Sequence, residues 1–554
     1  MSKKKSKQPA SQTQVQGPRY FAADPSGPFS RPEVVALVAV VLIAWAVQTF
    51  FLNYTVDDAF ISFRYSRNLA QGFGLVFNPG ERVEGYTNFL WTLLCSVPFL
   101  LGIDVLWFSK VVLALLSAGA ITVFVLFLRR QQPRPVWWPV YAAGLVLGLN
   151  TSFTLYAVNG IETMLFSLLL LLSLLLSSRE FEQGGWLSAI PWALLFFTRP
   201  DGALFFGLAW LARLVWGRRD RSFVIWTAAF AVPALALVAF RLAYFGHLFP
   251  NTYYVKGAGS LSYRVSGWGV RYFRDIFRVP ANWFYMLAPV LAGLFTWKRL
   301  SRFGRLMLVL PYIYLGYVLY IGGDVNFPHF RFLLHVLPVM ALAGFLPLVA
   351  VPAGKESRSA LKLTALVLIT GVMVVLQLGH TRSVWKSMNE APEQPKFRYG
   401  SLVPLATHIS IYPEIADSLR RVVAPAQTVV MQDVGAIPYY SGVNTIDIIG
   451  LVNGDLAHYF YSRGYSDYLR GRLPESVVQE VDAFARDYVI EQRKADFVLY
   501  HVDSGRADDL RYSFHWHNLA YDPRFAELYE PVMLFSYPGT GRDDHLLFRR
   551  KAGQ

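Results

Sequence analysis

Two adjacent acids, Asp57 and Asp58, stand where the chain leaves its first long apolar run. The stretch they open, residues 55–88, also carries Arg64, Arg67, a Gly72/Gly74 pair, an Asn78-Pro79-Gly80 turn, Glu81, Glu84 and Asn88. A loop that merely joined two helices would need none of this. Neighbouring carboxylates among cations suit the removal of a proton from a hydroxyl, or the holding of a cation. If Asp57 caps a helix running to Ala70 and closed by Gly72, then Asp58, Ser62 and Tyr65 share one face and Asp57, Ile61 and Arg64 the next. Capping and complementing the helix dipole would account for one of the two acids and no more.

Four further motifs interrupt apolar segments in the same way: Asn159-Gly160-Ile161-Glu162-Thr163, Thr198-Arg199-Pro200-Asp201-Gly202, Leu248-Phe249-Pro250-Asn251-Thr252-Tyr253-Tyr254-Val255-Lys256-Gly257, and Gly322-Gly323-Asp324 running on to His329 and Arg331. Charges between apolar segments are costly unless paired or facing water, which marks Arg199 and Asp201 for function. Arg331 has the planar fork that grips a phosphate, Lys256 and Asn251 beside glycines fit an anion pocket, and Asp324 with His329 can position a hydroxyl. Helix starts, aromatic belts and mutual neutralisation explain some of these residues singly. In the C-terminal third, Gln432-Asp433-Val434-Gly435 follows a strand-like run and by itself reads as turn chemistry.

The elements that must position these residues are mostly apolar helices. The 554 residues are 54% apolar and 16% aromatic with 16% charged, and mean hydropathy is +0.34. That composition excludes an ordinary soluble enzyme and points to a polytopic α-helical membrane protein in a lipid bilayer. The net charge of +15 suits anionic headgroups. No soluble basic domain carries it, which argues against nucleic acid as a partner. Cys95 is the only cysteine, so no intramolecular disulfide exists. Residues 1–30 read as a disordered basic cytoplasmic arm and 31–378 as the membrane domain, within which twelve apolar segments begin at Glu33–Leu52. Placing every Lys/Arg-rich short loop inside requires Phe89–Gly102, with Pro98 within it, to return to its own face as an interfacial helix. About 11 transmembrane helices remain, with the N-terminus cytoplasmic and the first outer loop, 53–88, on the same side as the other four motifs. Residues 379–554 read as an extracytoplasmic α/β soluble domain, with strands at Gln427–Met431, Asp496–His501, Pro531–Tyr537 and His545–Arg549. No Walker loop, zinc-ligand spacing of paired Cys or His, or Gly-x-Ser-x-Gly elbow occurs, so no nucleotide is expected.

Asp57-Asp58-Ala59-Phe60-Ile61-Ser62-Phe63-Arg64-Tyr65, Gly85-Tyr86-Thr87-Asn88, Arg199-Pro200-Asp201-Gly202, Leu248 to Tyr254 and Gly322-Gly323-Asp324 together resemble the GT-C glycosyltransferases. Within that superfamily the likeness is to the terminal β-(1→2)-arabinofuranosyltransferases that use decaprenyl-phosphate arabinose. It runs from about Tyr54 to Asp455.

The resemblance implies a polyprenyl-phosphate-sugar donor, an active site on the outer face of the inner membrane, and an essential acid in the first outer loop. Carried over by motif, Asp57 and Asp58 become the catalytic pair. Arg199, Lys256 and Arg331 are assigned to the donor phosphate on charge and sidedness, not on a matched motif. Arg64, Asn88, Glu162, Asp201, Asn251, Tyr253, Asp324 and His329 are the expected substrate contacts. Asp57, Asp58, Glu162 and Asp324 offer oxygens enough for Mg²⁺, Mn²⁺ or Ca²⁺, and paired acids without a metal would look the same. The expected acceptor is a hydroxyl of a cell-envelope glycan or a glycoprotein. Transfer of another sugar to a protein or lipid keeps the same fold, and a lipid-linked-sugar transporter is the alternative of another class.

Overall fold

The computed structural model describes residues 28–130, 137–257, 259–323, 330–349, 356–389, 412–502, 517, 519–536 and 544–553. All twelve apolar segments are helical. Seven are long and apolar enough to cross a bilayer: Arg31–Phe51, Val105–Arg129, Thr163–Phe181, Arg221–Phe245, Arg302–Ile321, Arg331–Val349 and Leu361–Lys386. An eighth is the pair Val270–Phe277 and Pro280–Thr296, bent by 103°. Phe89–Leu101, Pro139–Gly148, Ala189–Thr198 and Gly202–Trp216 are shorter. A helix of 10 residues reaches only about 15 Å, half a hydrocarbon core, so these helices depend on protein neighbours for their surroundings.

Phe89–Gly102 is not one helix. It breaks into Phe89–Leu94 and Val97–Leu101, the second with Pro98 in its first turn and stopped by Gly102 at φ 68°. Neither piece can span, in keeping with an interfacial segment. At the centre of the bundle lies Arg331–Val349, which packs against Thr163–Gln183, Pro280–Thr296 and Arg302–Ile321 and is buried along nearly its whole length. Pro338 and Pro347 sit inside it without ending it, because packed neighbours shelter the freed carbonyls. Its first residue, Arg331, is thereby delivered to the middle of one end of the bundle. At the opposite end Arg129 pairs with Glu33 at 2.7 Å.

The last helix of the bundle, Glu356–Asn389, continues through Gly379, so the domain boundary read from composition falls about ten residues early. Beyond it a five-stranded sheet forms in the order β2-β1-β3-β5-β4, from Thr428–Met431 (β1), Asn444–Asp447 (β2), Phe497–Val502 (β3), Tyr529–Phe535 (β4) and Asp544–Arg550 (β5). β1 runs parallel to β2 and β3, while β5 is antiparallel to β3 and β4. β2 has only four residues and gave no readable strand pattern; parallel pairing to β1 defines it.

The C-terminal domain is locked onto the first loop by side chains that donate to backbone carbonyls across the interface. Arg64 donates from Nη1 to Pro438 O (2.6 Å) and from Nη2 to Val443 O (2.9 Å), with Nε on Phe77 O. Arg67 donates to Tyr439 O, Asn78 exchanges two bonds with the Thr445 backbone, and Arg493 pairs with Glu81.

Candidate active site

The helix Asp57–Ala70 begins with both acids in its first turn, where the unpaired N–H groups favour negative charge. Val56 N–H donates to Asn159 O, and Lys110 Nζ donates to the carbonyls of Leu52, Tyr54 and Val158, so the strand entering the helix is pinned to the Asn159 motif. The two acids then diverge. Asp57 accepts hydrogen bonds from the backbone N–H of Gly435 (3.1 Å) and Ala436 (2.8 Å), the start of the short helix Ala436–Ser441 in the C-terminal domain. A Cβ on Gly435 would overlap the Asp57 carboxyl, which explains the glycine. Burial above all, then the charges of Asp433 and Asp58, push the Asp57 carboxyl up to about 7 against those two N–H groups. Asp58 lies one helical turn from Ser62, on the face turned into the bundle end.

From Ser62 a chain of polar contacts runs through the expected motifs. Ser62 donates to Asn88 Oδ1 (3.0 Å), Asn88 Nδ2 donates to Glu162 Oε2 (2.8 Å), and Arg199 Nη1 meets Glu162 Oε1 (2.8 Å). Arg199 Nε reaches Asp201 Oδ2 (3.3 Å), which also accepts from Tyr314 (3.2 Å), and Tyr314 touches His335 Nδ1 (2.6 Å). Burial resists ionisation of Glu162, yet Arg199, Arg331 and the Asn88 amide together hold its carboxyl below the usual range. Asn88, Glu162, Arg199 and Asp201, from three separate stretches of sequence, thus form one network with Arg331 beside it.

The Asn251–Gly257 helix goes elsewhere. Asn251 Nδ2 donates to the carbonyls of Gly450, Leu451 and Asn453, Tyr253 packs against Tyr461, and Tyr254 and His247 pack against His458. The helix that carries Lys256 thus packs against the helix Gly454–Ser462 of the C-terminal domain. Arg64 is buried, and the bonds above turn it to backbone carbonyls. Asp324 and His329 lie outside the described residues.

Sequence reasoning passed over several groups that these contacts bring forward. Ser62 and Tyr314 link the network. Arg241, inside an apolar helix, pairs with Glu84 at 3.0 Å with both side chains 3% exposed; an arginine in such a helix was a readable signal. Oxygens alone do not mark the cation candidate: among the described residues the group of three ligand-capable side chains is Asp433, His501 and His545, with ligand atoms within 4.8 Å of one another. His501 Nδ1 lies 2.8 Å from Asp433 Oδ2. His501 and His545 are register partners on β3 and β5 with rings 4.6 Å apart, a juxtaposition that only strand register creates.

Comparison with known proteins gives this geometry a context. A domain of unknown function, DUF8728, matches residues 404–548. The terminal β-(1→2)-arabinofuranosyltransferase of Corynebacterium glutamicum is 28% identical over 506 residues, covering 81% of this chain and 72% of that protein. The enzyme of the same name from Mycobacterium tuberculosis is 29% identical over 300 residues, 50% of this chain and 46% of that one. Among solved structures, ArnT from Cupriavidus metallidurans bound to undecaprenyl phosphate superposes with a TM-score of 0.51 at 14% identity, covering 95% of this chain and 99% of ArnT. The Archaeoglobus fulgidus oligosaccharyltransferase in complex with Zn and sulfate gives 0.52 at 12%, over 92% and 72%. The fold shared with these solved structures and the similarity to two named transferases lead to one conclusion: the chain is a polytopic helical membrane protein that resembles the GT-C glycosyltransferases, and among them the terminal β-(1→2)-arabinofuranosyltransferases.

Proposed function

We propose that the enzyme moves a sugar, D-arabinofuranose, from a polyprenyl-phosphate donor to a hydroxyl of a cell-envelope glycan on the outer face of the inner membrane. The observation that carries this reading is the buried chain Ser62–Asn88–Glu162–Arg199–Asp201 at the foot of the helix that presents Asp58. The similarity to arabinofuranosyltransferases supports the choice of sugar.

In this reading Asp58 takes the proton as the acceptor oxygen attacks the anomeric carbon. The bond from that carbon to the phosphate oxygen breaks, its electron pair stays with the phosphate, and polyprenyl phosphate leaves. Arg331 and Arg199 flank Glu162 and are placed to meet the charge that the phosphate gains. Glu162 and Asp201 hold Arg199 in place, and Asn88 holds Glu162. Lys256 stays a candidate for the donor phosphate on its charge, carried on a helix that packs against the C-terminal domain. Asp57 positions the C-terminal domain over Asp58, with Tyr253 and Asn251 on the far wall. A divalent cation, when bound, would supply charge neutralisation, and among the described residues Asp433, His501 and His545 stand close enough together to hold one.

Purified full-length protein incubated with radiolabelled polyprenyl-phosphate pentose and an oligosaccharide acceptor tests the reading. Transfer that needs Asp58 and prefers pentose to hexose is expected. Undiminished transfer by Asp58→Ala would overturn the catalytic assignment, and faster transfer from a hexose donor would overturn the sugar.

A further inference from the structure

We infer that Asp433, His501 and His545 form a binding site for a zinc-class divalent cation, set in the C-terminal domain against the first-loop acids. The three side chains come from adjacent strands of the sheet. Asp433 lies two residues beyond β1, His501 is in β3 and His545 in β5, and β3 stands between the other two. Their ligand atoms lie at the carboxyl edge of the parallel strands, where open α/β sheets gather their ligands.

The donor set is chemically specific. Two imidazole nitrogens and one carboxylate oxygen suit Zn²⁺ and its transition-metal neighbours, whereas Mg²⁺ and Ca²⁺ prefer oxygen throughout. Tetrahedral zinc holds its ligand atoms about 3.4 Å apart, so the present spread, within 4.8 Å, closes by small side-chain rotations. His501 Nδ1 also lies 2.8 Å from two groups at once, Asp433 Oδ2 and Gln432 Nε2. A ring nitrogen can donate to the first or accept from the second, and cannot do both. Where Nδ1 is the unprotonated nitrogen, its single lone pair stands beside the Asp433 carboxylate, and a cation that displaced the Gln432 amide would take that lone pair and the carboxylate oxygen together.

The three side chains stand near the first loop, where the charge of Asp433 acts on Asp57. Gly435 and Ala436, two and three residues after Asp433, are the groups that hold the Asp57 carboxyl. A cation here would sit between the sheet and the helix Asp57–Ala70 and fix the distance between the C-terminal domain and the catalytic acids. This location rests on the transferase reading, but the site itself does not, and metal content can be read without any transfer assay.

The test uses the full chain in detergent, stripped with a chelator and then dialysed against a limiting mixture of Zn²⁺, Mn²⁺, Mg²⁺ and Ca²⁺. Elemental analysis is expected to find about one zinc or manganese per chain. Asp433→Asn, His501→Ala and His545→Ala should each lose it, with His247→Ala retaining it as a control at another histidine cluster. Because the variants can misfold, the stripped wild type is also titrated: Zn²⁺ should raise its apparent melting temperature and Co²⁺ should give visible ligand-field bands, while Mg²⁺ and Ca²⁺ do neither. Wild type that returns from dialysis without transition metal, or metal retained by the His501 and His545 variants, overturns the proposal. So does equal stabilisation by Mg²⁺.

Discussion

The two neighbouring carboxylates differ in their surroundings more than in their chemistry. Asp57 is spent on two backbone N–H groups of the C-terminal domain, while Asp58 shares a helix face with Ser62 and so with the buried network. Asp58→Asn should therefore lower transfer about 10²-fold or more while the melting temperature stays put; Asp57→Ala should lower both. Thermal unfolding alongside transfer separates the two roles. Arg199 gives a second residue-scale test. It neutralises Glu162 and Asp201 where all three are buried, and Arg199→Ala strands both acids, at a cost of about 3–5 kcal/mol. Adding Glu162→Gln should return part of that stability and none of the activity, a split that a chemical-denaturation series would show. Residue types alone were enough to pick out Asn88, Glu162, Arg199 and Asp201, because charge between apolar segments needs a reason. They were not enough to separate Asp57 from Asp58, since the separating contacts come from residues 435 and 436. Nor did they reveal His501 and His545, whose meeting depends on strand register.

Helices and loops were legible to different degrees. Every apolar segment is helical, but Phe89–Gly102, read as one interfacial helix, is two short ones broken at Cys95 and Ser96. What composition could not convey is that the first loop is half of an interface. Arg64, Asn78 and Asn251 have the look of ligand-binding residues because they are polar among apolar neighbours, yet each donates to backbone carbonyls of the opposite domain. Two substitutions test that interface. Gly435→Ala places a methyl into the Asp57 carboxyl, and it should loosen the C-terminal domain and reduce transfer with little effect on the helical bundle. Limited proteolysis should then cut between the bundle and the domain faster than in wild type. Arg64→Met, which keeps bulk but removes donors to Pro438 and Val443, should do the same. Unchanged cleavage in both variants would show that the domain is held by other contacts.

On the scale of the whole molecule, hydropathy and charge sufficed for the class, a helical membrane protein with a soluble C-terminal domain; they gave about 11 spans where seven or eight helices among the described residues are long enough to cross, and set the boundary early, where Glu356–Asn389 carries polar residues without ending. The domain has its own titration signature. Asp447 is fully buried and accepts from the N–H groups of Ile449 and Val452; burial outweighs these bonds and lifts its carboxyl from 3.8 to about 7. Between those values the folded state holds a proton that the unfolded chain has released, so the contribution of Asp447 to stability is full below about 4 and declines as pH rises towards 7. Melting curves from pH 5 to 8 should show the wild type losing stability relative to Asp447→Asn, and parallel curves would count against it.

The bonds of Arg64 also set a clock. Its carbonyl partners at Pro438 and Val443 are 374 and 379 residues further along the chain. At about 5–20 residues per second, the ribosome reaches them on the order of tens of seconds after the arginine has been made. The newborn chain thus holds Asp57 and Arg64 in an unfinished loop for most of its synthesis, and their partners at residues 435–443 arrive only with the final third of the polypeptide. A chain that stalls before them leaves these first-loop side chains without the backbone groups that hold them.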